Sequence, residues 1–460
     1  MTAQSNVLPG ELMSLRQRVR LVLVLGSLIA IGPLTIDMYL PALPAITDDL
    51  LTTSTAVQLT LTGTLVGLAL GQLVIGPVSD AYGRKRPLVA GLALHVVASL
   101  LCVVAPTIGV LGALRVVQGL GVAASSVVAM AIVRDLFSGT AFARLFSRLM
   151  LVMGLAPILA PTLGSAVLEA TNWRGVFGVL AAFGVLLVVT GAVALRETLP
   201  PERRRRGGAA DTVRTYGRLL RDRPFVGLIL VTGLAMAAMF AYISGSSFVL
   251  QGEYGLDERE FGFAFGAGAA GLIAATQLNV RLLRRYPPRR VLVAAVIGAS
   301  AAGAAMIVFT TTGFGGLPAV LASLWLVLFG CGLTNPNAAA LAMSRHGEAA
   351  GTAAALLGAL QFGTGALVAP LVGALGNDGP AMALVVTGGL VAATLVLFVV
   401  VRPGRLADDP SPTDRAAPAD RAEAGNRAEA GNRAGAGNPA EARDGTGQAD
   451  PAPEPAAAAV

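Results

Sequence analysis

Runs of about twenty apolar residues, the length an α-helix needs to cross a bilayer, recur along this chain from position 20 to position 401. They fall at about 20–43, 55–79, 87–105, 108–133, 144–168, 173–195, 224–249, 261–283, 289–312, 316–341, 350–375 and 379–401, twelve in all. With 54% apolar residues, 13% charged residues and a mean hydropathy of +0.70, this stretch cannot be a water-soluble domain. The expected class is an all-α polytopic membrane protein. The first run is too long for a cleaved signal, and Gly32, Pro33 and Asp37 interrupt it where a signal core is uniform, so it is read as the first span.

Arginine marks one side of the membrane. Arg16, Arg18 and Arg20, then Arg84, Lys85 and Arg86, then Arg134, Arg144 and Arg148, the segment 196–223, Arg281, Arg284, Arg285, Arg289, Arg290, Arg345, Arg402 and Arg405 all fall on the same side. The opposite loops hold little more than Arg174 and Arg259, with Asp48, Asp49, Glu253, Asp257, Glu258 and Asp378. By the positive-inside rule both termini are expected in the cytoplasm, in a multi-pass protein of a bacterial-type inner membrane. The net charge of +7 is thereby a topology signal, and nucleic acid is not an expected partner.

The longest loop on the basic side parts the chain into an N-terminal six-helix bundle (1–195), a basic linker (196–223), a C-terminal six-helix bundle (224–402) and a tail (403–460). The linker carries the run Arg203 to Arg206 and an amphipathic stretch in which Val213, Tyr216, Leu219 and Leu220 share a face. A helix of that kind lies on the inner leaflet, where anionic lipid attracts its arginines. The tail lacks apolar residues to bury and repeats a hexapeptide from Arg421 to Asn438, so a disordered cytoplasmic segment is expected.

Asp37 interrupts the first run, where an ionised carboxylate costs about 2.5–3.5 kcal/mol on insertion scales. An acid retained at such depth faces an internal cavity and handles protons or cations. No comparable constellation supports enzyme chemistry: nucleophiles, metal ligands or paired acids do not cluster in the spans. Cys102 and Cys331 lie singly in spans, His95 is alone in a span and His346 in a short loop, so neither a disulfide framework nor a metal site is expected. No cofactor is implied.

Between the second and third spans stands GPVSDAYGRKRPL, from Gly76 to Leu88. Gly76 permits close helix approach, Gly83 a tight turn, and Pro87 a helix start without a missing hydrogen bond. Asp80 and Arg84 are placed to form ion pairs, or to meet a helix end, across the two halves, with Arg86 beside them. This segment closely resembles the cytoplasmic loop motif of the major facilitator superfamily. The resemblance implies the major facilitator fold, two pseudo-symmetric bundles rocking about a midplane site. It also implies a pairing of Asp135 with Arg84.

Further motifs resemble the same superfamily. In the fourth span Arg115 and Gln118 stand in LRVVQGLG, and an intramembrane arginine must either pair or snorkel to the interface. The GLGVAA that overlaps it is a formal dinucleotide-loop match in the wrong setting, read as helix packing by small residues. In the fifth span Gly154, Pro157, Pro161 and Gly164 resemble the pattern of the superfamily's antiporters. PLTIDMYLPALPAI at Pro33, NWRGVF at Asn172 and AYISGSSFVLQ at Ala241 resemble the bicyclomycin and chloramphenicol resistance branch of drug:proton antiporters. The chain departs at Ser246 and Ser247, where many relatives carry Ser-Pro, which leaves the bend of the seventh span open.

The expected function is multidrug efflux, exchanging protons inward for small amphipathic drugs outward through Asp37, with Arg115 and Gln118 in the coupling group. Tyr39, Tyr242, Ser244, Ser246, Asn335 and Gln361, polar or amphipathic residues set into apolar spans, are the candidate cavity groups. The alternative is a proton-coupled or facilitative transporter of one metabolite, which shares the layout. The expected partners are protons, a drug-like small molecule and the lipid bilayer, and the chain is expected to act as a monomer.

Overall fold

Three prolines in and just past the first apolar run, Pro33, Pro41 and Pro44, shape the element that carries Asp37. Each lacks a backbone N–H, so the helix cannot pass through all three unbroken. In the computed structural model, which describes residues 13–137, 139–204, 209–346 and 349–405, α1 (Leu15–Asp37) bears Pro33 in its interior and ends at Asp37. A 3₁₀ turn with Pro41 (Leu40–Ala42) and then α2 (Leu43–Asp49), with Pro44 in its first turn, complete the span. The first half continues with α3 (Ser54–Tyr82), α4 (Lys85–Val103), α5 (Ile108–Leu136), α6 (Gly139–Ala170) and α7 (Trp173–Ala194). A linker helix, α8 (Ala209–Leu219), leads to α9 (Arg223–Ser247), α10 (Glu258–Leu282), α11 (Pro288–Thr312), α12 (Gly316–Met343), α13 (Ala350–Ala374) and α14 (Gly379–Val396).

Among the described residues twelve spans are long and apolar enough to cross a membrane, α1 and α2 counting as one, and the linker divides them into two six-helix bundles. All of the helices belong to one unit, Met1–Ala407. The hexapeptide repeats lie outside the described residues, as do Arg205 and Arg206 of the basic run. Side chains cap the helix starts where orphan N–H groups would otherwise go unmet: Thr53 for α3, Thr107 for α5, Asn172 for α7 and Asp378 for α14. Ser14 with Gln17, and Asp257 with Glu260, form reciprocal capping boxes.

Small residues let helices meet backbone to backbone. A Cβ on Gly119 would strike the Thr64 carbonyl of α3, and one on Gly121 would lie 2.6 Å from the Gly91 carbonyl oxygen of α4. GLGVAA is therefore helix-packing sequence. Gly76 differs: a Cβ there meets nothing within 4 Å, so the close approach expected at this glycine does not occur.

The halves meet along a seam where α3 packs on α13 and α6 on α10. The end of the molecule holding Leu15 and α8 is termed the linker end, the opposite one the distal end. Hydrogen bonds cross the seam at the distal end. Gln58 Nε2 donates to Asn377 Oδ1 (2.6 Å) and to the Ser244 carbonyl (3.3 Å), Ser247 Oγ to the Leu40 carbonyl (2.8 Å), and Ser165 Oγ to the Glu258 carbonyl (2.7 Å). At the linker end α8 packs on α13 while Tyr216 Oη donates to the Leu73 carbonyl of α3 (3.3 Å), so the linker helix straddles both halves.

The seventh span changes its winding at the place where Ser247 stands instead of a proline. After Ser247 its chain widens into a π-helical turn, Phe248–Glu253, closed by the Tyr254 N–H on the Val249 carbonyl.

Candidate functional site

Asp37 closes α1 at the seam and is 4% exposed. Its Oδ1 is buried with no hydrogen-bond partner, and no cation pairs with it among the described residues. The 3₁₀ turn that follows packs on α9, α10 and α6, and Ser247 and Gln251 of the second half donate to the Leu40 and Pro41 carbonyls. The helix break is thus pinned by the opposite half three residues after the acid. From that half Tyr242 lies within electrostatic reach of the Asp37 carboxylate. Its ring stacks on Phe265 (5.2 Å between centroids), and its hydroxyl has no partner.

Arg115 and Gln118 are not part of this arrangement. Arg115 is fully buried inside the first half, so it neither snorkels nor reaches Asp37. One guanidinium nitrogen donates to Gln118 Oε1 (2.5 Å) and another to the Thr35 carbonyl (3.1 Å), while the group lies 4.3 Å over the Tyr39 ring and 5.6 Å from that of Phe177. Two aromatic faces flank the guanidinium, a recognised way to hold a desolvated cation. Gln118 passes the chain on, Nε2 donating to Ser99 Oγ (2.7 Å), which donates to the His95 carbonyl. Tyr39 belongs to this cage, its hydroxyl paired with Thr60 Oγ1 (2.8 Å), and is not directed at a cavity. His95, buried beside it, is packing rather than a ligand. Both cysteines are buried and free.

Of the other candidate cavity groups, Ser244 and Ser246 spend their hydroxyls on the Ala369 and Ile243 carbonyls. Asn335 is half-buried, its amide donating to Met236 Sδ (3.3 Å) and its Oδ1 unpartnered. Gln361 is half-buried on α13. Thr334 Oγ1, next in sequence to Asn335, is likewise buried without a partner. Thr334 escaped sequence reasoning because threonine so often bonds its own helix; the Thr-Asn-Pro-Asn run was the available signal.

At the linker end Arg84 gathers the loop motif. It reaches Asp80 Oδ1 (2.5 Å), Asp135 Oδ2 (2.9 Å) and Ser79 Oγ (2.7 Å). These pairs lie within the first half and do not cross the seam, contrary to the expectation for Asp80 and Arg84. Their further partner is the linker. The Glu197 carboxylate accepts from the Arg84 N–H (2.8 Å) and the Lys85 N–H (3.2 Å), and Thr198 Oγ1 donates to Asp135 Oδ2 (2.9 Å). Burial opposes ionisation of Glu197, but these backbone donors and nearby Arg204 prevail and hold its carboxyl below its ordinary range. Gly83 turns at φ +89°, and a Cβ there would crowd Glu197 Oε2, so glycine is required on both counts. Arg86 is exposed. Glu197, one of four acids in a basic linker, was legible only as charge and not as a cap.

In α6, Pro157 and Pro161 lie inside the helix and the two glycines face other elements. A Cβ on Gly164 would collide with the Met38 carbonyl oxygen, one residue past Asp37, and one on Gly154 would lie 3.0 Å from Ile273 of the second half. The α6 motif therefore touches both the acid's helix end and the seam.

Two bundles of six spans meeting along a seam define a polytopic membrane transporter. The family model for the Major Facilitator Superfamily matches residues 25–370, and the chain belongs to that family. It is 40% identical over 360 residues to "Uncharacterized MFS-type transporter YdgK" of Bacillus subtilis, covering 78% of this chain and 89% of that one. It is 30% identical to a "Bicyclomycin resistance protein homolog" of Haemophilus influenzae, covering 82% and 94%, and 28% identical to "Multidrug resistance protein MdtL" of Klebsiella pneumoniae, covering 84% and 97%. Among solved structures a D-xylose-proton symporter superposes with a TM-score of 0.67 at 15% identity, over 86% of this chain and 100% of that one, a likeness of fold.

Proposed function

We propose that this transporter exports small amphipathic drugs in exchange for protons, with Asp37 as the exchanged site. The observation that carries the reading is a buried acid at the end of α1, one oxygen unpartnered, followed by a turn that the other half holds at the Leu40 and Pro41 carbonyls. A single acid that holds either a proton or the cargo's polar group couples the two fluxes by competition. In this reading the arginine-rich linker end is cytoplasmic. The hydrogen bonds across the distal seam then lie on the outer side. Inward movement of a proton down the membrane potential supplies about 2.3 kcal/mol per 100 mV. The names borne by the bicyclomycin and multidrug relatives support a drug as cargo. Arg115, caged between Tyr39 and Phe177, acts as a positioning group that holds the Thr35 carbonyl, and through it the end of α1.

The test uses inverted vesicles in which drug uptake and lumenal pH are followed together. Addition of drug to wild-type vesicles carrying a proton gradient dissipates that gradient, which a uniporter would leave unchanged. Asp37→Asn, expressed to the same level, loses both signals; wild-type rates in that variant would overturn the carrier role.

A further inference from the structure

An apolar groove of about 310 Å³ lies at the linker end between α9 and α13. Val226 and Ile229 form one wall, Leu356 and Ala359 the other, and Leu220, just past the end of α8, closes one side. Leu220 and Val213 of the linker are exposed, as expected of a surface helix that lies on a bilayer. Next to its lining residues Leu220 and Val226 in the chain stand three exposed cations, Arg218, Arg221 and Arg223, the last one turn before Val226 on the same helix face, and these are taken as its rim. Asp222, the acid among them, is turned away, its carboxylate engaged by Arg345 (3.0 Å) and His346 (2.9 Å). Among the described residues no carboxylate pairs with the three rim arginines.

An apolar slot with an uncompensated cationic rim matches an amphiphile whose head is anionic. We propose that the groove holds an acyl chain of one anionic phospholipid, its phosphate bound by Arg218, Arg221 and Arg223. The proposal rests on the linker end facing the inner leaflet, as in the functional reading, but needs no transport. Because α8 also bonds α3 through Tyr216, a lipid held here sits where the linker helix bridges the two halves.

Retained lipid is counted by native mass spectrometry on the full chain, purified from micelles containing equal phosphatidylglycerol and phosphatidylethanolamine. Wild type retains one phosphatidylglycerol in preference. At about fivefold per arginine, R218Q/R221Q/R223Q weakens that preference on the order of a hundredfold. Ala359→Trp, which plugs the slot and leaves the rim intact, abolishes retention; Ala359→Leu serves if the tryptophan variant does not fold. Asp37→Asn retains the lipid as wild type does, which separates this proposal from the carrier reading. Equal retention of both lipids by wild type, unchanged retention in the plugged variant, or displacement of the lipid by a transported cation such as ethidium would each overturn it.

Discussion

In the first half one buried network links polar side chains around Arg115: Arg115 to Gln118 and the Thr35 carbonyl, Gln118 to Ser99, Tyr39 to Thr60; outside those bonds Asp37 Oδ1, Gln58 Oε1, Thr62 Oγ1, Arg115 Nε and both His95 ring nitrogens are buried without a partner. In the second half Tyr242, Thr334, Asn335 and Asn337 each keep an atom without a partner. A satisfied network rigidifies its surroundings, whereas an unsatisfied polar atom destabilises a fold and is retained where a ligand completes it. The difference is therefore local: the bonds of Arg115 hold the Thr35 carbonyl near the acid, whereas Tyr242, Thr334 and Asn335 leave polar atoms open in the facing half.

The sharpest way to break that contrast is to remove a group from each half. Arg115→Ala orphans the Thr35 carbonyl and Gln118 and empties the space between two rings. It should cost about 2–5 kcal/mol, read as a lowered melting temperature in detergent. Thr334→Val removes an atom that already lacks a partner, so stability should hold or rise by up to about 1 kcal/mol while cargo affinity falls. Equal destabilisation by the two would show that the second half's polar atoms are structural.

What could be read from the residues follows the same division. Spans were legible because length and apolarity decide them locally, and so was a pairing of Asp80 with Arg84, an acid and a base one turn apart, though it was expected across the halves; the Asp135 pairing came only from the resemblance. The Arg115 cage was not, since Tyr39 and Phe177 come from two other segments of the chain and aromatic faces carry no charge to count. Gly76 and Gly164 illustrate the limit of motif reading: both match a pattern, yet only packing tells which glycine is pressed by a neighbour.

Those two glycines sharpen the comparison from the backbone side. A side chain at 164 strikes the Met38 carbonyl oxygen beside the acid, whereas one at 76 meets open space. Gly164→Ala should therefore displace the end of α1, costing about 1–3 kcal/mol and most of the exchange rate in vesicles. Gly76→Ala should stay within about 0.5 kcal/mol of wild type. A harmless Gly164→Ala would mean that the end of α1 is not held by α6.

The smallest effect is expected where the halves resemble each other, in the charge clusters of the linker end. Arg84, Asp80, Asp135 and Glu197 bind four segments of the first half and linker; Asp222, Arg345 and His346 tie the start of α9 to the end of α12. Burial alone would raise the Asp222 carboxyl, but hydrogen bonds from Arg345 and His346 outweigh it and hold it below the ordinary carboxylate value. A folded-state value lower than the unfolded one means the ionised acid stabilises the fold above the unfolded value of about 3.9. That stability is lost as pH falls through the folded value. The cluster lies at the solvent rim, so Asp222→Asn should cost no more than about 1 kcal/mol at pH 7, and the difference from wild type should vanish under strongly acidic conditions. A larger loss at neutral pH, undiminished by acid, would show that Asp222 serves as a packing or capping group for α9 and not as a charge.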